Sequence, residues 1–344
     1  MIVLYIIVAL LVFGLLIFIH ELGHFLAARA CGVAVKEFAI GMGPRIFSWR
    51  SKKYDTEYGL RLLPIGGYVS MVGEDEDSDS EKAFCNKSVW KRMAIILAGP
   101  AMNILLGFIL MVVLVVGQGN LISTTVAGFD ENAISSAQLE VGDEIVKVGR
   151  VRVHTFNDVI YEIMHQGNEP VDMTVIRNGE KTVLEKVEFP TEVQSGVEIG
   201  VYDIIPYLDR PTAINYVKHA FFRSVSTVKM VFDSLVDLIS GRYGMEAVSG
   251  PVGVTEVIVD AARTGFFYLL YVVIVISINL GIFNLVPFPA LDGGRFLLYV
   301  IEVVRGKPVK KEVEGYINFA GLLILFAFMA FVIVKDVIKL FGGV

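Results

Sequence analysis

Cysteine is nearly absent: Cys31 and Cys85 are the only two in 344 residues. They form no CxxC pair and no other metal spacing, so a cysteine-bound zinc cluster and a disulfide framework are both excluded. Charge is also scarce. Asp, Glu, Lys and Arg make up 19% of the chain, against about 25% in ordinary soluble domains. The net charge of −6 includes no basic excess, and nothing in it calls for a nucleic acid partner. Internal repeats and low-complexity segments are missing too, which removes the inverted-repeat signature of a transporter.

What fills the chain is apolar. Hydrophobic residues reach 54% and the mean hydropathy is +0.63, values that point to an integral membrane protein. A spanning helix needs about 20 mostly apolar residues. Four segments qualify: Ile2 to about Leu26, Met93–Val116, Phe266–Val286, and a shorter run at Phe319–Val334. Residues 1–19 hold no charged side chain, yet no basic segment precedes them and no small-residue cleavage site follows. They read as a retained first span. Lys and Arg crowd the loop between Arg29 and Arg92 and recur at Arg305, Lys307, Lys310 and Lys311. Positive loops stay in the cytoplasm, so both termini and residues 117–265 are expected outside. On that side of the membrane Cys31 and Cys85 stay reduced.

The outer region differs in composition. Residues 143–153 and 171–189 alternate as strands do, the second run turning at Asn178-Gly179. "FNDVIYEIMHQG" between them reads as a helix, with Asn157 as its N-cap and Gly167 as its stop. Residues 214–239 repeat Ile214, Val217, Phe221, Val225 and Phe232 at helical spacing, while Lys218, Arg223, Lys229 and Asp233 fill the other face. That is an amphipathic helix lying on the outer membrane surface or packed on the small module.

The chemistry concentrates in "HELGH", residues 20–24. On a helix, positions i and i+4 share a face, so His20 and His24 offer two adjacent corners of a tetrahedral zinc ion. Glu21 then stands beside the open corner, placed to take a proton from a water there. Ionisable groups inside a span are costly and mark functional sites. Two imidazoles leave zinc short of a ligand. Asp292, in "NLVPFPALDGG", completes the set: the third span runs inward and ends at the same depth as His20 and His24. Pro287 and Pro289 break that helix, and Gly293 and Gly294 permit an unusual turn. Irregular backbone at membrane depth is tolerated where it lines a cavity.

Together these residues resemble the site-2 protease family of intramembrane zinc proteases. HELGH matches its HExxH, and Asn284, Pro287, Pro289, Leu291, Asp292 and Gly293 match its N-x-x-P-x-P-x-L-D-G. "GPAMN", residues 99–103, is similar to the small-residue motif of the second core span. "LEVGDEIVKVGRVRV", residues 139–153, resembles a PDZ stretch of the bacterial RseP-type branch, with Val141 in place of the usual proline. "YGLRLLPIGGYVSM", residues 58–71, resembles the membrane-dipping β-hairpin, and "SGPVGV", 249–254, a branch segment before the third span.

The resemblance implies a polytopic α-helical membrane protein with four transmembrane helices, a cytoplasmic membrane-associated β-hairpin and an extracytoplasmic PDZ-like α+β domain. Residues 1–116 form the first half of the core, 120–205 the PDZ-like domain, 206–265 the amphipathic helix and connector, and 266–344 the second half. It implies one Zn2+ on His20, His24 and Asp292, Glu21 as catalytic base, and Asn279 and Asn284 as substrate-binding residues. It further implies residence in the bacterial cytoplasmic membrane, with the active site towards the cytoplasm. The substrates implied are single-span membrane proteins, such as anti-sigma factors and remnant signal peptides, trimmed first by an upstream site-1-type protease. The alternative is a non-catalytic zinc-dependent membrane scaffold that uses the PDZ-like module, which would need the ligands but not Glu21.

Overall fold

The computed structural model describes residues 2–342, apart from 75, 195, 196, 243 and 245–247. The chain divides into two compact units, one of residues 1–107 and 248–344, the other of residues 108–247.

Helix α1, Ile2–Ala30, is apolar as far as Ile19 and then carries His20, Glu21 and His24. It stops at Gly32, which takes φ 72°, and Val33 N–H returns to Ala28 O at 2.8 Å. The helix outlasts the expected Leu26 because Ala27, Ala28, Arg29 and Ala30 continue it. Strands β1, Val35–Arg50, and β2, Glu57–Met71, follow. Residues 58–71 are therefore not a hairpin on their own; the pairing partner is β1. Val35–Ile40 registers with Gly67–Met71 on one side and, from Glu37, with Glu57–Leu60 on the other, while Arg45–Arg50 pairs with Glu57–Arg61. β1 can serve both because it bends at Gly41 and Gly43, where φ is 86° and 84°. The edge at Gly67–Met71 meets no further strand among the described residues.

Helix α2, Val89–Gln118, carries Pro100 within it. The second unit then holds β3 (Leu121–Phe129), β4 (Glu144–Val148), β5 (Val151–Arg152), α3 (Phe156–Gln166), β6 (Val171–Arg177), β7 (Glu180–Val187), β8 (Thr191–Gln194), β9 (Val197–Gly200), β10 (Ile204–Asp209) and α4 (Ala213–Ser240). Its main sheet runs β10-β3-β4-β6-β7, with β5 on β4, and β8 and β9 form a separate hairpin. Val126, Ile145, Val148, Val159, Ile163 and Met173 fill the core between sheet and α3. The turn at Asn178-Gly179 takes φ 52° and 82°, as a two-residue hairpin demands. The N-cap of α3 is Thr155 rather than Asn157. Asp158, three residues on, accepts the backbone N–H of Thr155 at 2.9 Å, and Asn157 sits too late to do this.

Helix α4 packs its polar side on this module. Tyr161 donates to Asp233 at 3.0 Å, Lys229 pairs with Glu162 at 2.8 Å, and His165 meets Asp237 at 2.9 Å. Its apolar residues Ile214, Val217, Phe221, Phe232 and Ile239 are left exposed.

The chain returns to the first unit with α5 (Pro251–Thr264), α6 (Phe266–Leu285), α7 (Asp292–Arg305) and α8 (Lys311–Gly342). Among the described residues, four helices are long and apolar enough to cross a membrane: Tyr5–Ala30, Val89–Gln118, Phe266–Leu285 and Lys311–Ile338. The fourth is longer than the apolar run Phe319–Val334, because Lys311, Glu312 and Glu314 are helical despite their charge. Large apolar side chains such as Leu11, Ile109, Phe267 and Phe326 are exposed along these helices, as a lipid solvent requires.

A candidate metalloprotease centre

His20 and His24 lie one turn apart on α1, both buried. Asp292, about 270 residues away in sequence, opens α7, where the helix N-terminus favours a carboxylate. The three donor atoms converge. His20 Nε2 is 3.2 Å from His24 Nε2, and Asp292 Oδ2 is 3.1 Å and 3.3 Å from the two nitrogens.

These three edges can be tested against a metal. Zinc holds imidazole nitrogen and carboxylate oxygen at about 2.0–2.2 Å, so adjacent corners of its tetrahedron lie about 3.3 Å apart. The observed triangle matches that size. The outer contacts agree. His24 Nδ1 donates to Ile95 O at 2.9 Å, which leaves the lone pair of Nε2 pointing inward. The Asn103 amide lies 3.3 Å from His20 Nδ1, and Asn103 Oδ1 is otherwise buried without a partner. The two ends of an amide are told apart by their partners. A metal on His20 Nε2 needs the proton on Nδ1, and the amide then turns Oδ1 towards Nδ1–H, leaving the Nε2 lone pair free. Asp292 Oδ2 is buried and makes no hydrogen bond. Three lone pairs aimed at one point repel unless a cation sits among them, and the donor set, two imidazoles and one carboxylate, is that of a zinc site with an open corner.

Glu21 lies beside this triangle and against the free edge of β2, where a Cβ on Gly67 would touch its side chain. A cavity of about 510 Å³ joins His20, Glu21, His24 and Asp292 to Tyr68, Val69 and Asn284. Asn284 therefore reaches the cavity, its Nδ2 donating to Leu280 O at 2.9 Å. Asn279 does not line it, and its Oδ1 is buried without a partner.

The backbone around Asp292 departs from expectation. Gly293 and Gly294 do not take left-handed angles; the residue that does is Ala290, with φ 71°. The two glycines serve close packing instead. A Cβ on Gly293 would meet Leu285 O and Val286 O, and one on Gly294 would meet Phe288 O. Sequence reasoning passed over Asn103, Ile95 O, Gly99 and the ion pair Arg295–Glu74, 2.6 Å long at the cavity wall. Asn103 stood within the quoted GPAMN motif, and a buried amide in a span was the available signal.

A buried two-histidine, one-carboxylate cluster, a glutamate at its open side and a cavity in a unit carrying four apolar helices define a membrane metalloprotease. A model of Peptidase family M50 matches residues 8–328, and the chain belongs to that family, the site-2 proteases. A relative from Clostridium acetobutylicum is 36% identical over 334 residues, covering 97% of each chain. The zinc metalloprotease RasP of Geobacillus kaustophilus is 30% identical over 413 residues, covering 96% of this chain and 97% of its own. The regulator of sigma-W protease RasP of Bacillus subtilis is 28% identical over 415 residues, covering 96% of this chain and 98% of its own.

Proposed function

We propose that this protein is an intramembrane zinc endopeptidase that cuts single-span membrane proteins, with His20, His24 and Asp292 as the metal ligands and Glu21 as the catalytic base. The observation that carries this reading is the 3.1–3.3 Å triangle of donor atoms with its lone pairs turned inward. Zinc bound there would polarise the scissile carbonyl and acidify a water in the cavity.

The protein's own residues do the rest. Glu21 takes the proton of that water on its carboxylate and returns it to the leaving amine. Packing of Gly67 against its side chain holds the carboxylate towards the cavity. A substrate helix has every carbonyl bonded and must unwind before it can be cut. The free edge at Gly67–Met71 offers replacement main-chain bonds beside Glu21, so an unwound substrate adds there as a strand. Asn284, on the cavity wall, would bind the substrate backbone, and Asn279 would act from behind it.

The basic loops set the active site towards the cytoplasm, with both termini outside. Residues 1–116 and 266–344 would form the two halves of the core. Residues 120–205 would form a PDZ-like domain, a reading supported by the six-stranded sheet packed on helix α3. Residues 206–265 would carry the amphipathic helix, its bare apolar face turned to lipid. The Bacillus subtilis relative is named for sigma-W regulation. Anti-sigma factors, and remnant signal peptides, are accordingly the proposed substrate class, admitted after an upstream site-1-type protease has removed their outer part.

The test is Glu21→Gln. It should keep zinc while cleavage of a model single-span substrate falls by roughly 100- to 10,000-fold, the range for a general base. Cleavage at the wild-type rate would remove Glu21 as the base, whereas zinc binding with no cleavage by the wild type itself would favour the scaffold.

A further inference from the structure

The loop that delivers Asp292 is under strain, and something must hold it. Ala290, two residues before the carboxylate, takes φ 71°. Left-handed backbone suits glycine, and among other residues Asn and Asp, whose side chains bond locally. Asp55, Asn132, Asn178 and Lys186 occupy such angles elsewhere in this chain; alanine has no polar side chain to bond locally. A strained residue persists where its surroundings over-determine it.

The surroundings come from the start of α8. Asn318 Oδ1 accepts the N–H of Ala290 at 3.3 Å. One turn further, Gly321 is buried against the same loop, and a Cβ there would collide with Pro289. Asn318 also lines the cavity with Ala290, Leu291 and Asp292. Two successive turns of one face of α8 therefore press on Pro289 and Ala290.

We infer that Asn318 is a positioning residue for the metal centre: by holding Ala290 N–H it keeps the Pro289–Leu291 bend left-handed and sets the Asp292 carboxylate in bonding range of the ion shared with His20 and His24. This rests on the ligand assignment proposed above. Released from Asn318, Ala290 relaxes to negative φ, the peptide that follows swings round, and Asp292 Oδ2 leaves the triangle. Asn318 touches neither the ion nor the reacting atoms.

The experiment uses the full chain in detergent and measures zinc affinity by competition with a chromophoric chelator. Asn318→Leu removes the acceptor at similar size and should weaken zinc by about tenfold, the lower end for outer-sphere partners. Asn318→Asp keeps an acceptor and should bind within about twofold of the wild type or tighter. The deciding variant is Ala290→Gly, since glycine holds φ 71° without strain. In that background Asn318→Leu should cost clearly less than it does alone, a rescue that general destabilisation of α8 would not produce. Wild-type affinity in Asn318→Leu, or an undiminished loss in the Ala290→Gly background, overturns the inference. Asp292→Ala separates the two claims. If it retains full zinc, the ligand assignment is wrong; if it loses zinc while Asn318→Leu does not, only the positioning role falls.

Discussion

Gly99 lies against the His24 ring so closely that a Cβ at position 99 would occupy the space of Nε2, the atom that faces Asp292. The neighbouring helix imposes the same tightness from the other side, since a Cβ on Gly23 would strike Ala98 O. Helices in lipid approach closely where both contribute small residues. Here the approach also fixes a ring.

Gly99→Ala should therefore displace the His24 ring. Zinc affinity is expected to fall by roughly 10- to 100-fold, with cleavage falling alongside it. Elemental analysis of the purified protein gives the metal content. A variant with full zinc and normal turnover would show that α2 can shift away at no cost.

Asn103→Leu removes the amide that orients His20 and should also weaken zinc, again by about tenfold. Asn103→Asp preserves an acceptor for Nδ1–H and should retain most of the affinity. Equal losses in both variants would mean that Asn103 matters for packing α2 on α6, where its backbone O accepts from Ser277 at 2.8 Å, and not for the ring.

The segment SGPVGV has a physical role in the fold. α5 begins at Pro251 with Gly250 as its N-cap, so the helix lacks a capping side chain of its own. Asp336 supplies one from α8, accepting the N–H groups of Gly250 at 2.9 Å and Gly253 at 3.0 Å. Asp336→Leu orphans these donors and should cost about 1–2 kcal/mol, the scale of a lost cap. Thermal unfolding in detergent should show the lowered midpoint. An unchanged midpoint would mean that other acceptors replace Asp336.

Acid should loosen the β-rich second unit through Asp143. Burial of this carboxyl pushes its pKa up, but the Arg177 guanidinium, at 2.8 Å from Nε and 2.7 Å from Nη2, and the Glu140 N–H outweigh burial and hold it below the usual range. A depressed carboxylate pKa stabilises fully above the unfolded value of about 3.9 and is lost as pH falls through the folded value. Stability of the module should thus decline below about pH 4. Arg177→Met should destabilise it at neutral pH by about 3 kcal/mol, because a buried charge is left alone, and should flatten the acid dependence. Hydrogen exchange on β4 and β6 at pH 6 and pH 3 measures both. An acid response as steep as the wild type's would place its origin elsewhere.

Much of this molecule was legible in the sequence because hydropathy and spacing are strong signals in lipid. The four spans stand where apolar runs predicted them, misjudged chiefly at their ends, where charged residues such as Lys311 and Glu312 continue a helix that hydropathy cannot see. His20, His24 and Asp292 converge because the break after α6 sets the first residue of α7 against the last third of α1. What stayed hidden depends on how elements cross. No local signal places β1 beside both halves of β2, since its pairing follows from a bend at Gly41 and Gly43. A Gly-Gly pair also cannot say whether it serves a turn or a close approach. At Gly293 and Gly294 it is the approach, and the turn fell on an alanine.

The open margin of β2 at Gly67–Met71 has one more consequence. A chain laid along a strand alternates: its peptide groups bond the neighbour at every second residue, and its side chains switch faces at each step. A bound polypeptide can thus slide past Glu21 in strides of two residues without turning every side chain over, whereas a stride of one inverts them all. Under the proposed strand addition, secondary cuts in one target should be spaced two residues from the main one, a ruler imposed by main-chain geometry.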